Sequence, residues 1–462
     1  MVVEAEPTRW QRSPWIGRWK DAPWIPFLIA GLGAILAISV RWYFAAHAQV
    51  YQPLQEHTSF GGAAEYYRYA WNLLHHHLFS SGYIDDPHPA ADTFRDPGYP
   101  FYLAMFMAVS DSYEGWYSAV VLSHAFLGGV TVACIVLAMR GVVPTWLLFA
   151  VATATAWWPH SVVISACILS ENLTAPMWAL FVLLVRESVD RKSMPLAAAA
   201  GLALAAASLT NSVLTPLVFP LALVLAWKRL MSTRQLIVLF AALALPVGAW
   251  ALRNSQVTAS LSSLYRVEVN LVQGSWPTYH LATQLEARHD PLGIKASRAI
   301  NDEIGAMQAD PRTGIALLAE RMGRAPGAYA AWYASKPALL WGWEVGLGAG
   351  GIYIYPTHGS PFITSPAWRG VEAVAFVLND ALAVLALAGL VLSLLVARPP
   401  ISIVVLALTV AWITVVYGVL QSDPRYSIPF RSAEITLACF ALWKAGALGR
   451  QWLARGRDPT LE

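Results

Sequence analysis

Three acids and three arginines in this chain stand at the edges of apolar runs, where a charged side chain can meet both water and membrane: Glu65, Asp96 and Glu171, with Arg95, Arg253 and Arg425. A carboxylate in that position can take a proton from an attacking group, and a guanidinium can compensate negative charge on a phosphate. The stretch "FRDPGYPFYLA" at 94 to 104 sets Arg95, Asp96 and Tyr99 beside two prolines and a glycine, directly before an apolar run too short to cross a bilayer. Glu171 opens an apolar run in "LSENLTAP", where a serine followed by an acid reads equally well as a helix N-cap. Arg253 and Asn254 close "PVGAWALRN", and Arg425 and Tyr426 sit in "DPRYSIPF". For these two arginines the plain alternative is anchoring at the interface.

The stretch "GGAAEYYRYAWNLLHHH" at 61 to 77 has helical periodicity, with Tyr66, Ala70, Leu73 and Leu74 on one side and Glu65, Arg68, Asn72 and His76 on the other. It reads as an amphipathic helix on the outer leaflet, and the plain alternative is a solvated polar stripe. His75 to His77 are consecutive, so on a helix they point in three directions and do not converge on one metal ion.

The elements that must position these groups follow from composition. With 57% hydrophobic residues, 13% charged residues and a mean hydropathy of +0.48 over 462 residues, the chain reads as an all-α polytopic membrane protein. Spans are expected at about 24–46, 116–139, 143–165, 172–188, 194–211, 213–228, 235–252, 372–397, 400–420 and 428–447, so that 10 to 12 transmembrane helices carry extracytoplasmic amphipathic helices. Arg9, Arg12, Arg18 and Lys20 precede an apolar run long enough to stay as an anchor, which predicts a cytoplasmic N-terminus without a cleaved signal peptide. Arg140, the Asp190 to Lys192 turn, Lys228 to Arg234, Arg398 and the Arg450 to Arg457 tail are then cytoplasmic as well. Parity places 47–115 and 253–371 outside, with 97–109 as a short surface or dipping helix.

Three parts result: a transmembrane module over 1–252 with its first outer loop at 47–115, an extracytoplasmic segment over 253–371, and a C-terminal set of spans with a cytoplasmic tail over 372–462. Within the second, 338–356 is apolar but glycine-laden and reads as a re-entrant hairpin or a pair of short spans. Cys134, Cys167 and Cys439 lie inside hydrophobic runs without CxxC spacing, and no basic block points to nucleic acid.

In family terms, Tyr66, Ala70, Asn72 and Leu73, followed by Arg95, Pro97, Gly98, Tyr99, Pro100, Leu103 and Ala104, resemble the first extracytoplasmic loop of the GT-C glycosyltransferases that use a polyprenyl-phosphate sugar. That superfamily includes the protein O-mannosyltransferases and the lipid A aminoarabinose transferase. "LSENLTAP", "PVGAWALRN", "GSWP" at 274–277 and "DPRYSIPF" resemble later motifs in the family's order. The resemblance implies an inverting transferase that moves a sugar from a polyprenyl phosphate to a lipid, glycan or protein acceptor, at a site facing the outside of a bacterial cytoplasmic membrane. It implies catalytic duty for Glu65 or Asp96 and substrate contact by Arg95, Tyr99, Glu171, Arg253, Asn254, Arg425 and Tyr426.

Where the family usually places an aspartate, four residues before the motif tyrosine, this chain has Gly62. The identity of the base is therefore open between Glu65 and Asp96, and the divalent cation that some family members bind is open too. Two other classes remain: a flippase or transporter of a lipid-linked glycan, which would be marked by mid-membrane charges and internal symmetry, and a relative that has lost catalysis.

Overall fold

A computed structural model describes residues 22–56, 62–258, 261–396 and 399–455, with side chains to 447. Arg9, Arg12, Arg18, Lys20, Arg398 and Arg457, and the side chains of Arg450 and Arg455, lie outside the described residues. The described residues are mostly helical, in agreement with the apolar runs.

The first half comprises α1 (Ile25–His47), α2 (Gly62–His75), α3 (Gly98–Met107), α4 (Tyr113–Met139), α5 (Thr145–Trp157), α6 (Pro159–Val163), α7 (Glu171–Asp190), α8 (Met194–Thr210), α9 (Val218–Trp227) and α10 (Thr233–Ser255). The second half follows as α11 (Ser263–Ser275), α12 (Tyr279–Ala287), α13 (Pro291–Ala309), α14 (Pro311–Gly323), α15 (Pro326–Leu340), α16 (Pro361–Thr364), α17 (Pro366–Leu395), α18 (Ile401–Val419) and α19 (Arg431–Arg455). Five of these, α1, α4, α10, α17 and α18, are each long and apolar enough to cross a membrane among the described residues. A sixth crossing forms if α5 and the turns after Pro159 count as one span bent by 52°. Proline at 159 removes a backbone donor and accounts for the break.

The bundle is assembled by α1 on α4, α4 on α7, α7 on α8, α8 on α10, and α17 on α19. Small residues let these axes approach, as in membrane helix pairs generally. A Cβ on Gly201 would lie 2.2 Å from the Leu239 carbonyl oxygen, and one on Gly389 would lie 2.3 Å from that of Leu437. Both contacts are backbone and cannot give way.

Which ends of the helices share a side is fixed by contacts. At one end, Arg140 pairs with Glu187 at 2.6 Å, Arg186 donates to the carbonyls of Leu137 and Ala138, and Lys228 donates to those of Leu394 and Val396. This end gathers the basic turns that the charge rule assigns to the cytoplasm. The opposite end carries α2, α3 and a cap of helices α11 to α15. Val272, Ala282, Ile300, Ile304, Met307 and Leu318 give that cap its own small core. It docks on the bundle through Lys336, fully buried, whose ammonium donates to the carbonyls of Gly274, Val419 and Leu420 and so closes the C-terminus of α18. Burial lowers this lysine to about 8.

Residues 341–356, most of the 338–356 stretch expected as a re-entrant hairpin or a pair of short spans, contain no helix among the described residues. Helix α15 ends at Leu340, and five glycines at 342, 346, 348, 350 and 351 break any continuation, two of them at φ +101° and +56°. A two-stranded ladder, β1 (Gln49–Val50) antiparallel to β2 (Thr357–His358), ties the end of this segment to the exit of α1. Nor is the polar side of α2 a solvated stripe: Arg68 and Asn72 are buried, and the Asn72 amide donates to the carbonyls of Ser80 and Gly82, folding the first loop back onto the helix.

A Cβ on Gly98 would lie 2.5 Å from the Thr210 hydroxyl and 3.0 Å from the Leu209 carbonyl oxygen, so this glycine sets how closely α3 sits on the end of α8. Gly98→Val is expected to destabilise the detergent-solubilised protein by about 1–3 kcal/mol. Gly31→Ala, with nothing within 4 Å of the new methyl, is expected to leave the thermal midpoint unchanged or slightly raised; thermal unfolding of both variants checks the pair.

Candidate active site

Helix α2 presents Gly62, Glu65 and Tyr66 on one face, because residues three and four apart lie over one another. That face meets the start of α7 and the 3-10 turn Pro424–Phe430 that links α18 to α19. Three carboxylate–guanidinium pairs gather there. Glu171 accepts from Arg425 Nε at 2.7 Å, Glu65 from Arg95 Nε at 2.5 Å, and Asp96 from Arg266 at 2.8 Å.

The pairs are connected. The Tyr66 hydroxyl donates to Ser170 Oγ at 3.0 Å, and Ser170 Oγ lies 3.5 Å from the Glu171 carboxylate, while the Arg95 guanidinium lies 5.3 Å from the Tyr66 ring centroid. The Arg95 and Arg425 guanidinium groups are both largely withdrawn from solvent, which alone would favour their neutral forms. The adjacent carboxylates of Glu65 and Glu171 more than offset this and hold both arginines above their ordinary range. Both therefore remain cations at any physiological pH.

Ser170 stands at the N-cap position of α7, but its side chain makes no cap hydrogen bond. Its backbone is already helical, and its hydroxyl is spent between Tyr66 and Glu171, so the capping reading of "SENL" is replaced by a side-chain link between α2 and α7. Asp96 is held on both oxygens, one by Arg266 and the other by the Ser212 backbone N–H at 3.0 Å; Arg266 also donates to the Ser212 hydroxyl. The loop between α2 and α3 is thereby fixed to the turn after α8 and to the cap helix α11. Glu65, in contrast, uses only Oε2, toward Arg95, among the described residues.

Tyr99 is fully buried, with its hydroxyl 3.1 Å from His124 Nε2 and its ring edge-on to Tyr66 at 5.0 Å. It braces Tyr66 from behind. Tyr426 stacks on Tyr417 at 4.7 Å and donates to Gln421. Arg253 is not brought to these pairs: its guanidinium donates to the Asp92 and Phe79 carbonyls, lies over Trp250, and donates to the Asn254 side chain. Arg253 and Asn254 thus hold the loop between α2 and α3 in shape. Asp92 does the same from inside, accepting from Tyr69, from the Ser81 N–H and hydroxyl, and from the Phe94 N–H.

The open space lies beside Gly62. A cavity of about 200 Å³ is lined by Gln52, Leu54, Gly62, Leu347, Tyr355 and Arg425, among others. A Cβ on Gly62 would lie 3.5 Å from Arg425 Nη2 and 3.7 Å from the Tyr355 hydroxyl. Burial pushes the Tyr355 hydroxyl up to about 12, so it stays a donor. The missing side chain therefore leaves the cationic Arg425 facing a void. Asp423 shapes the rim by accepting from the N–H groups of Arg425 and Leu347.

Arg266, Tyr355 and Asp423 carry no signal of their own in the sequence, apart from the place of Arg266 on an outer amphipathic helix; its partner Asp96 is 170 residues away. As to a divalent cation, among the described residues no three His, Cys, Asp or Glu side chains converge as a metal site. With glycine at 62 and both Glu65 and Glu171 bound to arginines, the donors here do not fit one.

No family model matches the chain, and no curated protein matches it. Among solved structures, the chain is similar to the oligosaccharyltransferase of Archaeoglobus fulgidus. The form in complex with Zn and sulfate gives a TM-score of 0.48 at 13% identity over 90% of this chain and 49% of that one. The form with an inhibitory peptide and a dolichol-phosphate gives 0.47 at 15% identity over 96% and 53%. The form tethered to an acceptor peptide gives 0.48 at 15% identity over 98% and 52%. The chain spans about half the length of these structures.

Asp96→Asn and Arg266→Gln are each expected to cost about 2–5 kcal/mol, since either leaves a mostly buried charge unpaired, while the double variant costs clearly less than their sum. A double-mutant cycle on thermal unfolding measures the difference; additive costs would mean that the two groups are not coupled.

Proposed function

We propose that this protein is an integral-membrane, inverting glycosyltransferase of GT-C type that uses a polyprenyl-phosphate sugar donor and acts on the outer face of a bacterial cytoplasmic membrane. The observation that carries the reading is the void beside Gly62, one wall of which is the cationic Arg425, with Glu65 one helical turn further along the same face of α2. A lipid phosphate needs a fixed positive charge at the membrane edge, and an acceptor needs a carboxylate with a free lone pair. The order of the sequence motifs supports the same reading.

In this proposal the donor's phosphate lies against Arg425 and the Tyr355 hydroxyl. Glu65, through its free Oε1, takes the acceptor's proton as the acceptor atom bonds to the anomeric carbon. The bond from that carbon to the phosphate oxygen breaks, its electron pair leaves with the lipid phosphate, and the guanidinium compensates the charge that appears. Arg95 orients Glu65, and Glu171 orients Arg425. Asp96, held on both oxygens, serves as a loop anchor. No step passes through a metal.

The acceptor, a lipid, glycan or protein, enters from the side of the 253–371 segment, whose turns after α15 border the void through Leu347 and Tyr355. The membrane lipids around the bundle deliver the donor's polyprenyl chain.

Transfer from a radiolabelled polyprenyl-phosphate sugar in reconstituted vesicles tests the reading. Glu65→Gln and Arg425→Lys are each expected to lower turnover by about 100-fold or more, the second because lysine cannot reproduce the planar fork of donors. Absence of transfer by the unmodified protein, across lipid, glycan and peptide acceptors, would remove it. Gly62→Asp makes a sharper check. A carboxylate built beside Arg425 competes with the phosphate, so KM for the donor rises while the thermal midpoint holds; an unchanged donor KM would place the phosphate elsewhere.

A further inference from the structure

Arg41 stands apart from the groups above. It lies in the outward half of α1, is 4% exposed, and has no carboxylate partner among the described residues. Nη1 donates to the carbonyls of Ala37 and Ala156, the second of which belongs to the last turn of α5, so the guanidinium partly satisfies that helix end. Nε and Nη2 make no hydrogen bond within the described residues. A charge left in this state inside a membrane bundle is costly unless something else compensates it.

The surroundings of Arg41 are built to receive a small partner. A cavity of about 40 Å³ is lined by Arg41, Thr131, Thr155, Glu171 and Ser432, among others. The hydroxyls of Thr155 and Ser432 are buried and have no hydrogen-bond partner. Gly128 makes the seat, because a Cβ there would lie 2.3 Å from Arg41 Nε. The His124 ring, also at the wall, is already engaged on both nitrogens by Tyr99 and Ser165. The one carboxylate at the wall, Glu171, is neutralised by Arg425. Thr131 and Asn172, also at the wall, already donate to backbone carbonyls, so the groups facing the space without a partner among the described residues include the Arg41 guanidinium edge and the hydroxyls of Thr155 and Ser432.

We propose that this cavity is a binding site for one small inorganic monoanion of the chloride class. Size favours a small anion: one water needs roughly 10–15 Å³ of such space, so 40 Å³ takes a monatomic ion with one or two waters. The donor set decides against water alone, which would leave the guanidinium charge uncompensated. The site joins α1, α4, α5, α7 and α19. It is separate from the void beside Gly62, so it stands whether or not the transferase reading does.

The test is thermal unfolding of the purified full chain at constant ionic strength, in sodium chloride against sodium gluconate. A bound chloride stabilises only the folded state, so the unmodified protein is expected to unfold on the order of 2–5 °C higher in saturating chloride. Arg41→Gln is expected to show the same midpoint in both salts. If that variant does not fold, Thr155→Val with Ser432→Ala keeps the arginine and is expected to shift half-saturation to higher chloride. A structure with bromide in place of chloride is expected to show anomalous density against Arg41 Nε and Nη2. Equal midpoints for the unmodified protein in the two salts, or bromide found only elsewhere, would overturn the proposal.

Discussion

The pairing of Glu171 with Arg425 is the constraint on which the outer end of this protein depends. It joins residues 254 positions apart, the first residue of α7 and the turn between α18 and α19, and so closes the bundle from its early to its late helices. Glu171 is nearly buried, and an isolated carboxylate there would be far less favourable than the pair. With the pair formed, Arg425 has a fixed position from which its remaining donors face the void, and Glu171 passes the constraint through Ser170 to Tyr66 on α2. The face of α2 that carries Glu65 is thus placed by a chain of contacts that begins at the opposite end of the sequence.

A second feature is that three acids at this end are each matched by an arginine from another segment: Glu65 with Arg95, Asp96 with Arg266, Glu171 with Arg425. Matching of this kind leaves none of these three carboxylates as an isolated charge at the membrane edge. It also sorts the acids by freedom. Asp96 is bound on both oxygens, Glu171 faces an arginine and a serine, and Glu65 keeps one oxygen unbound among the described residues. The Gly62 position gains its meaning from the same geometry, since the absent side chain would have pointed at Arg425.

Much of this was legible in the sequence. The long spans fall within a few residues of their expected places because length and apolarity alone define a crossing, and the short 98–107 helix follows from two prolines, a glycine and an apolar run of that length. The gathering of Glu65, Arg95, Asp96, Glu171 and Arg425 at one end follows from counting crossings. What the sequence does not carry is pairing. Nothing local tells Asp96 to bind Arg266 rather than Arg95, or directs Arg253 to the carbonyls of the first loop, because such choices arise only when segments more than a hundred residues apart are packed. The burial of Arg68 and Asn72 escaped for a related reason: the loop that covers them has no periodicity. The glycine-laden 341–356 stretch is apolar enough to enter lipid, yet it forms a rim of turns around the void, where glycine geometry outweighs hydropathy.

The most direct measurement is a cryo-electron microscopy structure of the protein in nanodiscs with a polyprenyl phosphate. Phosphate density within hydrogen-bonding distance of Arg425 Nη2 and the Tyr355 hydroxyl, beside Gly62, is the result this account requires. A lipid phosphate seated away from Arg425, with the Glu171 pair and the void unchanged, would contradict it.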